Sequence, residues 1–333
     1  MNTISITIQN LYAPCGCACR YCLLQSCKKA EGVDYYRGKK IAEKFVEWSK
    51  AGNFSSTPMY TIAYCAEYPE LFDNIAFNRS TGAATGFLQG NGIAIRDKGQ
   101  TDHFVARLKS AGINMIDITF FGNQEYHDIF AARKGDYQLM LQLADSAARA
   151  GIVCAPSLVI TEESKDMLEE LILILRKITD ISHIHAFLPD YRGRGNLTED
   201  VCLTRESYMA LPDTVKDRIQ GSRYKTEQEW LSEGELPDYT NRALIISLRK
   251  DNIALLESMC CDEMVAYVEG LDDAYYQTIP SIHELAHLYG DPANTRLYRP
   301  RDLFWKWQKR YIKQNHIDIY DVTDERFCCT VRS

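Results

Sequence analysis

The sequence predicts an α/β fold whose parallel strands form an open or closed barrel. Strand-like apolar segments alternate with helix-like segments over the first two-thirds of the 333-residue chain, and this alternation is typical of parallel βαβ units. A doubly wound sheet would show the same alternation, but the first strand is not followed by the G-x-G-x-x-G loop typical of that fold. Six such units favour a barrel, whose active site lies at the carboxyl ends of the strands.

The predicted strands are short apolar runs, and the predicted helices lie between them. We expect strands at residues 4–11, 59–64, 87–88, 116–121, 152–160 and 183–188. We expect helices at residues 39–50, 101–109, 137–149 and 165–178. Glycines at positions 52, 112 and 151 end three of these helices, and Thr101 is expected to cap the second.

The alternation weakens after residue 195. Residues 243–248 and 253–257 are expected to form a hairpin around Lys250, Asp251 and Asn252. We therefore divide the chain into a barrel core, residues 1–195, and a C-terminal α+β extension with a hairpin and helices, residues 196–333.

Composition restricts the partners and the compartment. No apolar run approaches the roughly 18 residues of a membrane span, and the N-terminus lacks the features of a signal peptide. Twelve cysteines without an export signal argue against a disulfide framework and favour a reducing cytosol. The net charge of −7 argues against nucleic acid as the main partner. We expect a cytoplasmic protein with no membrane or nucleic-acid partner.

The most informative motif is a three-cysteine loop directly after the first strand. Cys15, Cys19 and Cys22 have the spacing C-x3-C-x2-C, with Tyr21 just before the last cysteine. Three thiolates on one loop can hold three irons of a [4Fe–4S] cluster and leave the fourth iron open to a substrate or cofactor. A four-cysteine zinc site that also uses Cys27, or a thioredoxin-like redox pair, is the alternative.

The motif and its place after the first strand resemble the radical S-adenosylmethionine (SAM) enzymes. The resemblance implies a partial six-unit barrel and one [4Fe–4S] cluster on Cys15, Cys19 and Cys22, with Tyr21 beside the adenine of SAM. It implies that the open iron binds SAM and that reductive cleavage gives a 5′-deoxyadenosyl radical, which abstracts a substrate hydrogen. It also implies an electron donor such as flavodoxin or ferredoxin. Cys17 and Cys27 fall outside the pattern.

Finer matches follow along the predicted barrel. Residues 120–152 resemble the family's fourth strand and helix, with an acidic–histidine loop and a later Arg–x–Gly at Arg133. The run Cys65-Ala66-Glu67-Tyr68-Pro69 stands where the family commonly has G-G-E-P, so the glycines are lost and Glu67 is kept. The positions that the resemblance assigns to SAM contacts are Glu67, Asn91, Thr119, Ser157 and Leu188.

The extension resembles a degenerate auxiliary domain. Family members that modify peptides carry a hairpin here with cysteines for a second cluster, but the expected ligand position holds Leu256 and Glu257. The cysteines further on form two adjacent pairs, which make a poor cage for a cubane: Cys260, Cys261, Cys328 and Cys329. We expect one cluster, and these four cysteines to be buried thiols or a hydrogen-atom donor.

Two other motifs lie in the extension. His283, Glu284 and His287 match H-E-x-x-H, the helix of zinc proteases, but a five-residue pattern with three fixed positions recurs by chance, and an ordinary surface helix is the preferred interpretation. Six Arg and Lys residues crowd positions 296–310, and we interpret them as a solvated helix face that could instead bind an anionic group of a substrate.

These observations predict a radical SAM enzyme that modifies a peptide, as in ribosomal peptide maturation. The alternative within the family is rearrangement or oxidation of a small metabolite, which the compact barrel and the missing auxiliary ligands favour. Outside the family, the alternatives are a zinc metallopeptidase that uses His283, Glu284 and His287, and a non-catalytic metal-binding module.

Overall fold

Parallel strands and helices alternate from the first strand onward. The computed structural model describes residues 6–12, 14–23, 31–51, 58–62, 66–83, 86–233, 236 and 244–318. The strands are β1 (Ile6–Asn10), β2 (Met59–Ile62), β3 (Phe87–Gln89), β4 (Met115–Phe120), β5 (Val153–Val159), β6 (His185–Phe187) and β7 (Leu244–Leu248).

The helices of the barrel half follow these strands in turn. They are α1 (Tyr35–Ala51), α2 (Leu71–Ser80), α3 (Lys98–Ser110), α4 (Gln124–Phe130), α5 (Asp136–Arg149) and α6 (Leu168–Leu175). Those of the C-terminal third are α7 (Arg205–Ala210), α8 (Asp213–Lys216), α9 (Glu227–Glu233), α10 (Ile253–Ser258), α11 (Cys261–Thr278), α12 (Ile282–Tyr289) and α13 (Pro300–Gln314). None of the helices in the described ranges is long and apolar enough to cross a membrane.

The strands form two parallel sheets, with the orders β2–β1–β7 and β3–β4–β5–β6. In the first, Ile8 of β1 is in register with Tyr60 of β2 and Ile246 of β7. In the second, Thr119 of β4 is in register with Ser157 of β5. Within the described residues the sheets do not close into one ring, so the predicted α/β class and partial barrel are confirmed.

Each strand has an apolar outer face and a more polar inner face, because successive side chains of a strand point to opposite sides. Ile6 and Ile8 of β1 pack with Phe45 of α1, and Ile116 and Ile118 of β4 pack with helices of the second sheet. The polar side chains of the opposite face are Thr7, Gln9, Thr61, Gln89, Asp117, Thr119, Ser157, His185 and Ser247. This polar face is where the strands can receive a polar ligand.

The segment after β2 links the two sheets. Leu71 and Ile75 of α2 are buried in the core of the second sheet, whereas Phe77 of the same helix is buried in the core of the first. One short helix therefore contributes to both cores.

The predicted hairpin is wrong. Residues 244–248 form β7, which pairs in parallel with β1, and residues 253–258 form helix α10. The Asn252 amide accepts a hydrogen bond from the Arg249 N–H at 2.8 Å and donates to the Ser247 carbonyl at 2.9 Å, which turns the chain out of the sheet. Ile253 and Leu256 are then buried three residues apart, as on one face of a helix. Residue 243 lies outside the described residues.

Two helix predictions also need correction. Helix α3 begins at Lys98, and its N-cap is Asp97, whose side chain forms a capping box with Gln100. Thr101 lies inside the helix and donates to the Asp97 carbonyl, so it is not the cap. The helix predicted over residues 165–178 is divided into a 3₁₀ turn, Lys165–Met167, and α6.

The described part of the C-terminal third has its own apolar core. Leu303, Phe304 and Trp307 of α13 are buried with Tyr275 of α11 and Leu285 of α12. Strand β7 nevertheless lies in the sheet of β1, so the C-terminal third of the chain is joined to the barrel. The boundary at residue 195 stays a prediction.

Candidate metal and cofactor site

The cysteine loop follows the carboxyl end of β1 and presents its thiols unequally. Cys15, Cys19 and Cys22 are partly exposed, whereas Cys17 is buried. None of the described cysteines forms a disulfide. The three cysteines of the motif are therefore the accessible ones.

Backbone hydrogen bonds hold the loop against its neighbours. The Gly16 N–H donates to the Gly92 carbonyl at 2.8 Å, and the Ala18 N–H donates to the Ala131 carbonyl at 2.9 Å. A side chain at Gly16 would clash with the loop's surroundings, because a Cβ would lie 2.5 Å from a guanidinium nitrogen of Arg133. The loop is thus placed by the end of α4 and by the segment after β3.

Cys17 is the buried cysteine of the loop, and its thiol contacts a carboxylate. Its Sγ donates to Oδ2 of Asp136 at 3.6 Å. Hydrogen bonds with Cys15 and Cys19, together with burial, raise the pKa of the Cys17 thiol well above its ordinary value. The protonated thiol is a hydrogen-bond donor to Asp136, and it anchors the middle of the loop.

Asp136 belongs to a buried network with His127 and Arg133. Its Oδ2 lies 3.0 Å from Nε2 of His127, and its Oδ1 accepts from Nε of Arg133 at 3.0 Å. Nδ1 of His127 accepts from the Phe121 N–H at 3.3 Å, so Nε2 carries the proton toward Asp136. Burial alone would raise the pKa of Asp136, but the hydrogen bonds from His127 and Arg133 lower it below its usual value. The acidic–histidine loop and Arg–x–Gly of the sequence therefore meet behind the cysteine loop.

Tyr21 connects the cysteine loop to the end of β4. Its ring packs edge-on against Phe121, with the ring centroids 5.6 Å apart. It also lies tilted against the ring of Phe130, with the centroids 5.8 Å apart. Burial raises the pKa of Tyr21, the charges of Cys19 and Cys22 add to the rise, and a hydrogen bond with Thr119 opposes it. The cysteines, Tyr21 and Thr119 are thus neighbours in space.

Three of the residues assigned to SAM by position lie at the ends of β3, β4 and β5. Asn91 Nδ2 donates to the Thr119 carbonyl at 2.9 Å, and the Thr119 N–H donates to Asn91 Oδ1 at 2.6 Å. Ser157 is in register with Thr119 and donates to Oδ2 of Asp117 at 2.8 Å. The structure therefore brings Asn91, Thr119 and Ser157 together with Tyr21, as the positions predicted.

The other two assigned residues have side chains engaged elsewhere. Glu67 accepts from Arg96 through both carboxylate oxygens, at 3.0 and 2.9 Å, and from the Ala94 N–H at 2.8 Å. Leu188 is buried in the core of the second sheet, and its N–H donates to the Tyr224 hydroxyl at 3.4 Å. Any SAM contact at these positions would be made by the backbone, and all five assignments stay predictions.

Sequence reasoning missed a row of polar residues deeper on the same face. Gln89 of β3 donates to Oδ1 of Asp117 at 2.9 Å, which leaves the carboxyl held between Gln89 and Ser157. Burial raises the pKa of Asp117. His185 of β6 is in register with Ser157 and is exposed. The alternation of Ile116, Asp117, Ile118 and Thr119 was the signal, because a polar residue at every second position marks an inner face.

The loop's donor set fits an iron–sulfur cubane. A cubane takes one thiolate on each iron, so its ligands stand apart, whereas zinc requires all its ligands on one ion. Cys15, Cys19 and Cys22 offer three partly exposed thiols on one loop, the number that a cubane with one open iron requires. In the part of the chain that the structure describes, no three His, Cys, Asp or Glu side chains are grouped to hold a single metal ion.

The other candidate metal ligands of the C-terminal third belong to the H-E-x-x-H motif and to the cysteine pairs. His283 and His287 of α12 are exposed, and Glu284 accepts from the N–H and hydroxyl of Ser281 at 2.9 and 2.8 Å, as the partner in a capping box. Cys260 is the exposed N-cap of α11, and Cys261 is buried. Cys27, Cys65, Cys328 and Cys329 lie outside the described residues.

No protein-family model and no curated protein sequence matches the chain. Among solved structures, anSMEcpe with bound AdoMet is similar at a TM-score of 0.46 and 14% identity, over 72% of this chain and 64% of that chain. SuiB of Streptococcus suis, bound to precursor peptide SuiA, is similar at a TM-score of 0.41 and 14% identity, over 57% of this chain and 40% of that chain. Coproporphyrinogen III oxidase (HemN) of Escherichia coli, a radical SAM enzyme, is similar at a TM-score of 0.35 and 12% identity, over 57% of this chain and 44% of that chain.

The chain thus spans less than two-thirds of the length of these proteins. With TM-scores below 0.5, the likeness assigns neither a family nor a reaction. The site must be interpreted from its own residues.

Proposed function

We propose that this protein is a radical SAM enzyme, with one [4Fe–4S] cluster bound by Cys15, Cys19 and Cys22. The observation that carries the proposal is the cysteine loop itself: three partly exposed thiols at the carboxyl end of β1, beside a polar inner face. Because the donor set fits a cubane with one open iron, SAM is the cofactor that this site would take. The bound cluster and SAM would supply a 5′-deoxyadenosyl radical for hydrogen abstraction.

The chain's own residues would bind and orient the cofactor. The proximity of Tyr21 to Thr119 and its packing on Phe121 support the proposed role of its ring beside the adenine. Thr119 and Ser157 present hydroxyls at neighbouring strand ends, where they can hydrogen-bond a ribose. Asn91 fixes Thr119 by two hydrogen bonds to its backbone. These are positioning roles, which set the geometry that radical chemistry requires.

An apolar cluster would exclude water from the loop. Phe121, Phe130 and Val159 are buried around Tyr21, and Cys15 and Cys19 pack against them. A closed site of this kind would keep competing hydrogen-atom donors away from a carbon radical and so limit side reactions.

We propose a peptide as the substrate, and a small metabolite is the alternative. The predicted hairpin does not support a peptide, because residues 253–258 form helix α10 in the described fold. A large cationic groove close to the cysteine loop supports the peptide instead and is described below. An electron donor such as flavodoxin or ferredoxin, and a reducing cytosol, complete the proposal.

The decisive experiment is anaerobic. The protein is reconstituted with iron and sulfide, reduced with dithionite and supplied with SAM, and 5′-deoxyadenosine is measured together with the electron paramagnetic resonance spectrum of the reduced cluster. Cys22→Ala should lose both iron and product, whereas Cys154→Ala, a buried cysteine of β5, is the matched control and should keep both. We expect about four irons per chain and a spectrum that changes when SAM is added.

Two outcomes would overturn the proposal. One is zinc in place of iron on the wild-type protein with no product, which would support a structural zinc module. The other is a full cluster whose spectrum is indifferent to SAM, which would mean that the open iron does not bind the cofactor.

A further inference from the structure

A groove with a positive lining is formed largely by residues of the C-terminal third of the chain. It has a volume of about 640 Å³ and is formed by residues 191–199, residues 291–296 and helix α13. We call it the cationic groove. Its charged residues are the cations Arg296, Lys306, Lys309, Arg310 and Lys313 and the acids Glu199 and Asp291. The formal charge of the lining is therefore +3, in a chain whose net charge is −7.

Only part of this positive charge is neutralised by the protein. Lys306 pairs with Glu199 at 2.6 Å and with the buried Glu227 at 2.8 Å. In the described ranges no ion pair involves Lys309, Arg310 or Lys313. Arg310 lies over the ring of Tyr289, 5.6 Å from its centroid, which orients the guanidinium and leaves its charge available. Three cations of α13 therefore remain for a ligand.

Arg296 adds a donor on the opposite side of the groove. One of its terminal nitrogens donates to the Asp200 carbonyl at 3.0 Å. Its Nε is buried and has no hydrogen-bond partner in the described chain. The guanidinium of Arg296 thus adds its charge to the positive lining of the groove.

The spacing of the cations selects an elongated ligand. The cations that no ion pair engages in the described chain, Lys309, Arg310 and Lys313, lie within four residues of one another on α13, so Lys309 and Lys313 stand about 6 Å apart along the helix axis on the same side. In an extended peptide, side chains on the same side recur every 6–7 Å or so. Two or three acidic side chains of such a peptide match this row, whereas one phosphate would contact only part of it.

The cationic groove is connected to the cysteine loop through one turn of chain. The 3₁₀ turn Gly193–Val201 contributes residues to the groove, and the N–H of Arg194 within it donates to the Cys22 carbonyl at 2.9 Å. Asp200 of the same turn accepts from Arg20 of the cysteine loop at 3.4 Å, while its carbonyl accepts from Arg296. The turn that lines the groove therefore also contacts the loop that carries Cys22.

We propose that the cationic groove binds an acidic segment of the peptide substrate and so brings a neighbouring residue of that peptide to the cysteine loop. This inference rests on the proposed function. Asn196 and Thr295 line the groove and can hydrogen-bond a peptide backbone. Glu199 and Asp291 interrupt the positive lining, which suits a peptide with spaced acidic residues better than the continuous phosphates of a nucleic acid.

The test is a binding measurement that needs no SAM and no turnover. The iron-loaded protein is titrated into a fluorescein-labelled peptide of alternating Glu and Ser residues, and fluorescence anisotropy is followed. Lys309→Glu/Lys313→Glu is compared with Arg176→Glu/Lys177→Glu, which reverses two exposed charges at the end of α6. We expect the first variant to weaken binding by about tenfold or more and the second by less than about twofold, since close charge pairs govern affinity.

Further arms distinguish the ligand classes. The same peptide with Gln in place of Glu should not bind, and millimolar inorganic phosphate should compete poorly. Lys309→Gln/Lys313→Gln, with the thermal unfolding midpoint as a check on folding, should give an intermediate loss. Equal loss in both double reversals, or tighter binding of a single-stranded oligonucleotide of equal charge, would overturn the inference. Deoxyadenosine formation by the wild-type protein without peptide tests the proposed function on its own, so a failure of the groove and a failure of the proposed function are distinguishable.

Discussion

Asn91 and Thr119 form a two-bond clamp between the end of β3 and the end of β4. The Asn91 side chain donates to the Thr119 carbonyl and accepts from the Thr119 N–H, at 2.9 and 2.6 Å. Asn78 of α2 clamps Tyr60 of β2 in the same way, at 2.8 and 2.9 Å. The two asparagines are matched in chemistry, but only Asn91 acts on a residue beside Tyr21.

We expect Asn91→Ala to lower both stability and SAM affinity. The substitution leaves the nearly buried Thr119 backbone groups without these partners, which costs about 1–3 kcal/mol of unfolding free energy. Asn78→Ala should cost a similar or smaller amount, because the Tyr60 carbonyl keeps a hydrogen bond from Asn74 at 3.1 Å. Urea unfolding measures the first effect, and isothermal titration of SAM into iron-loaded protein measures the second. If Asn78→Ala weakened SAM binding as strongly, the clamp would have no specific role at the site.

Cys17→Ala should leave the cluster intact. Cys17 is buried and donates to Asp136, so it is not presented with the three partly exposed cysteines. We expect about four irons per chain in Cys17→Ala and a loss of most iron in Cys19→Ala. Iron and acid-labile sulfide are measured on both variants after anaerobic reconstitution. Comparable iron loss in the two, with the fold retained, would show that the motif has been assigned to the wrong three thiols.

Glu162 should make stability depend on pH in acid. Burial alone would raise its pKa, but Lys165 at 2.7 Å and hydrogen bonds from Thr204 and Ser207 lower the pKa of Glu162 to about 2. Because the folded pKa lies below the unfolded value of 4.5, this contribution is complete above pH 4.5 and is lost as the pH falls from 4.5 through 2. The gap in unfolding free energy between wild type and Glu162→Gln should therefore narrow over that interval.

The matched control for this pH series is Glu170→Gln, which changes an exposed glutamate of α6. Its difference from wild type should stay flat over the same range, as followed by urea unfolding. A constant gap for Glu162→Gln as well would contradict the ion-pair explanation.

Glu284 should be a capping residue and not a catalytic base. Its carboxylate is engaged by Ser281 at the start of α12. We expect Glu284→Ala to cost roughly 0.5–2 kcal/mol, as loss of a helix cap does, and Glu284→Gln to cost less because glutamine can also close a capping box. Thermal unfolding gives this ranking. Loss of bound zinc in His283→Ala would instead revive the metallopeptidase alternative.

The central strands could be predicted well from the sequence. Strands β4 and β5 were expected at residues 116–121 and 152–160 and lie at Met115–Phe120 and Val153–Val159. They are buried on the outer face, so their apolar residues recur strongly. The capping box of α3 was also present in the sequence, as Asp97 followed by Gln100, and was overlooked in favour of Thr101.

The errors arose where the decisive contact is distant in sequence. Residues 253–257 form a short apolar run, and periodicity cannot separate a strand from one turn and a half of helix at that length. Nothing local in residues 244–248 indicates that their partner is β1. The link from Cys17 to Asp136 likewise joins residues 119 positions apart. Only the folded chain brings such groups together.

The pairing of β1 with β7 has a consequence for how the chain folds as it is synthesised. Ile8 and Ile246 are in register although 238 residues separate them, so one edge of β1 waits for its partner until most of the chain has left the ribosome. An open strand edge made of Ile6, Thr7 and Ile8 is a site for pairing with other chains. Late closure of this kind makes folding slow and sensitive to aggregation. The strand that leads into the cysteine loop is thus among the last to be secured, and incorporation of the cluster would follow synthesis of nearly the whole barrel.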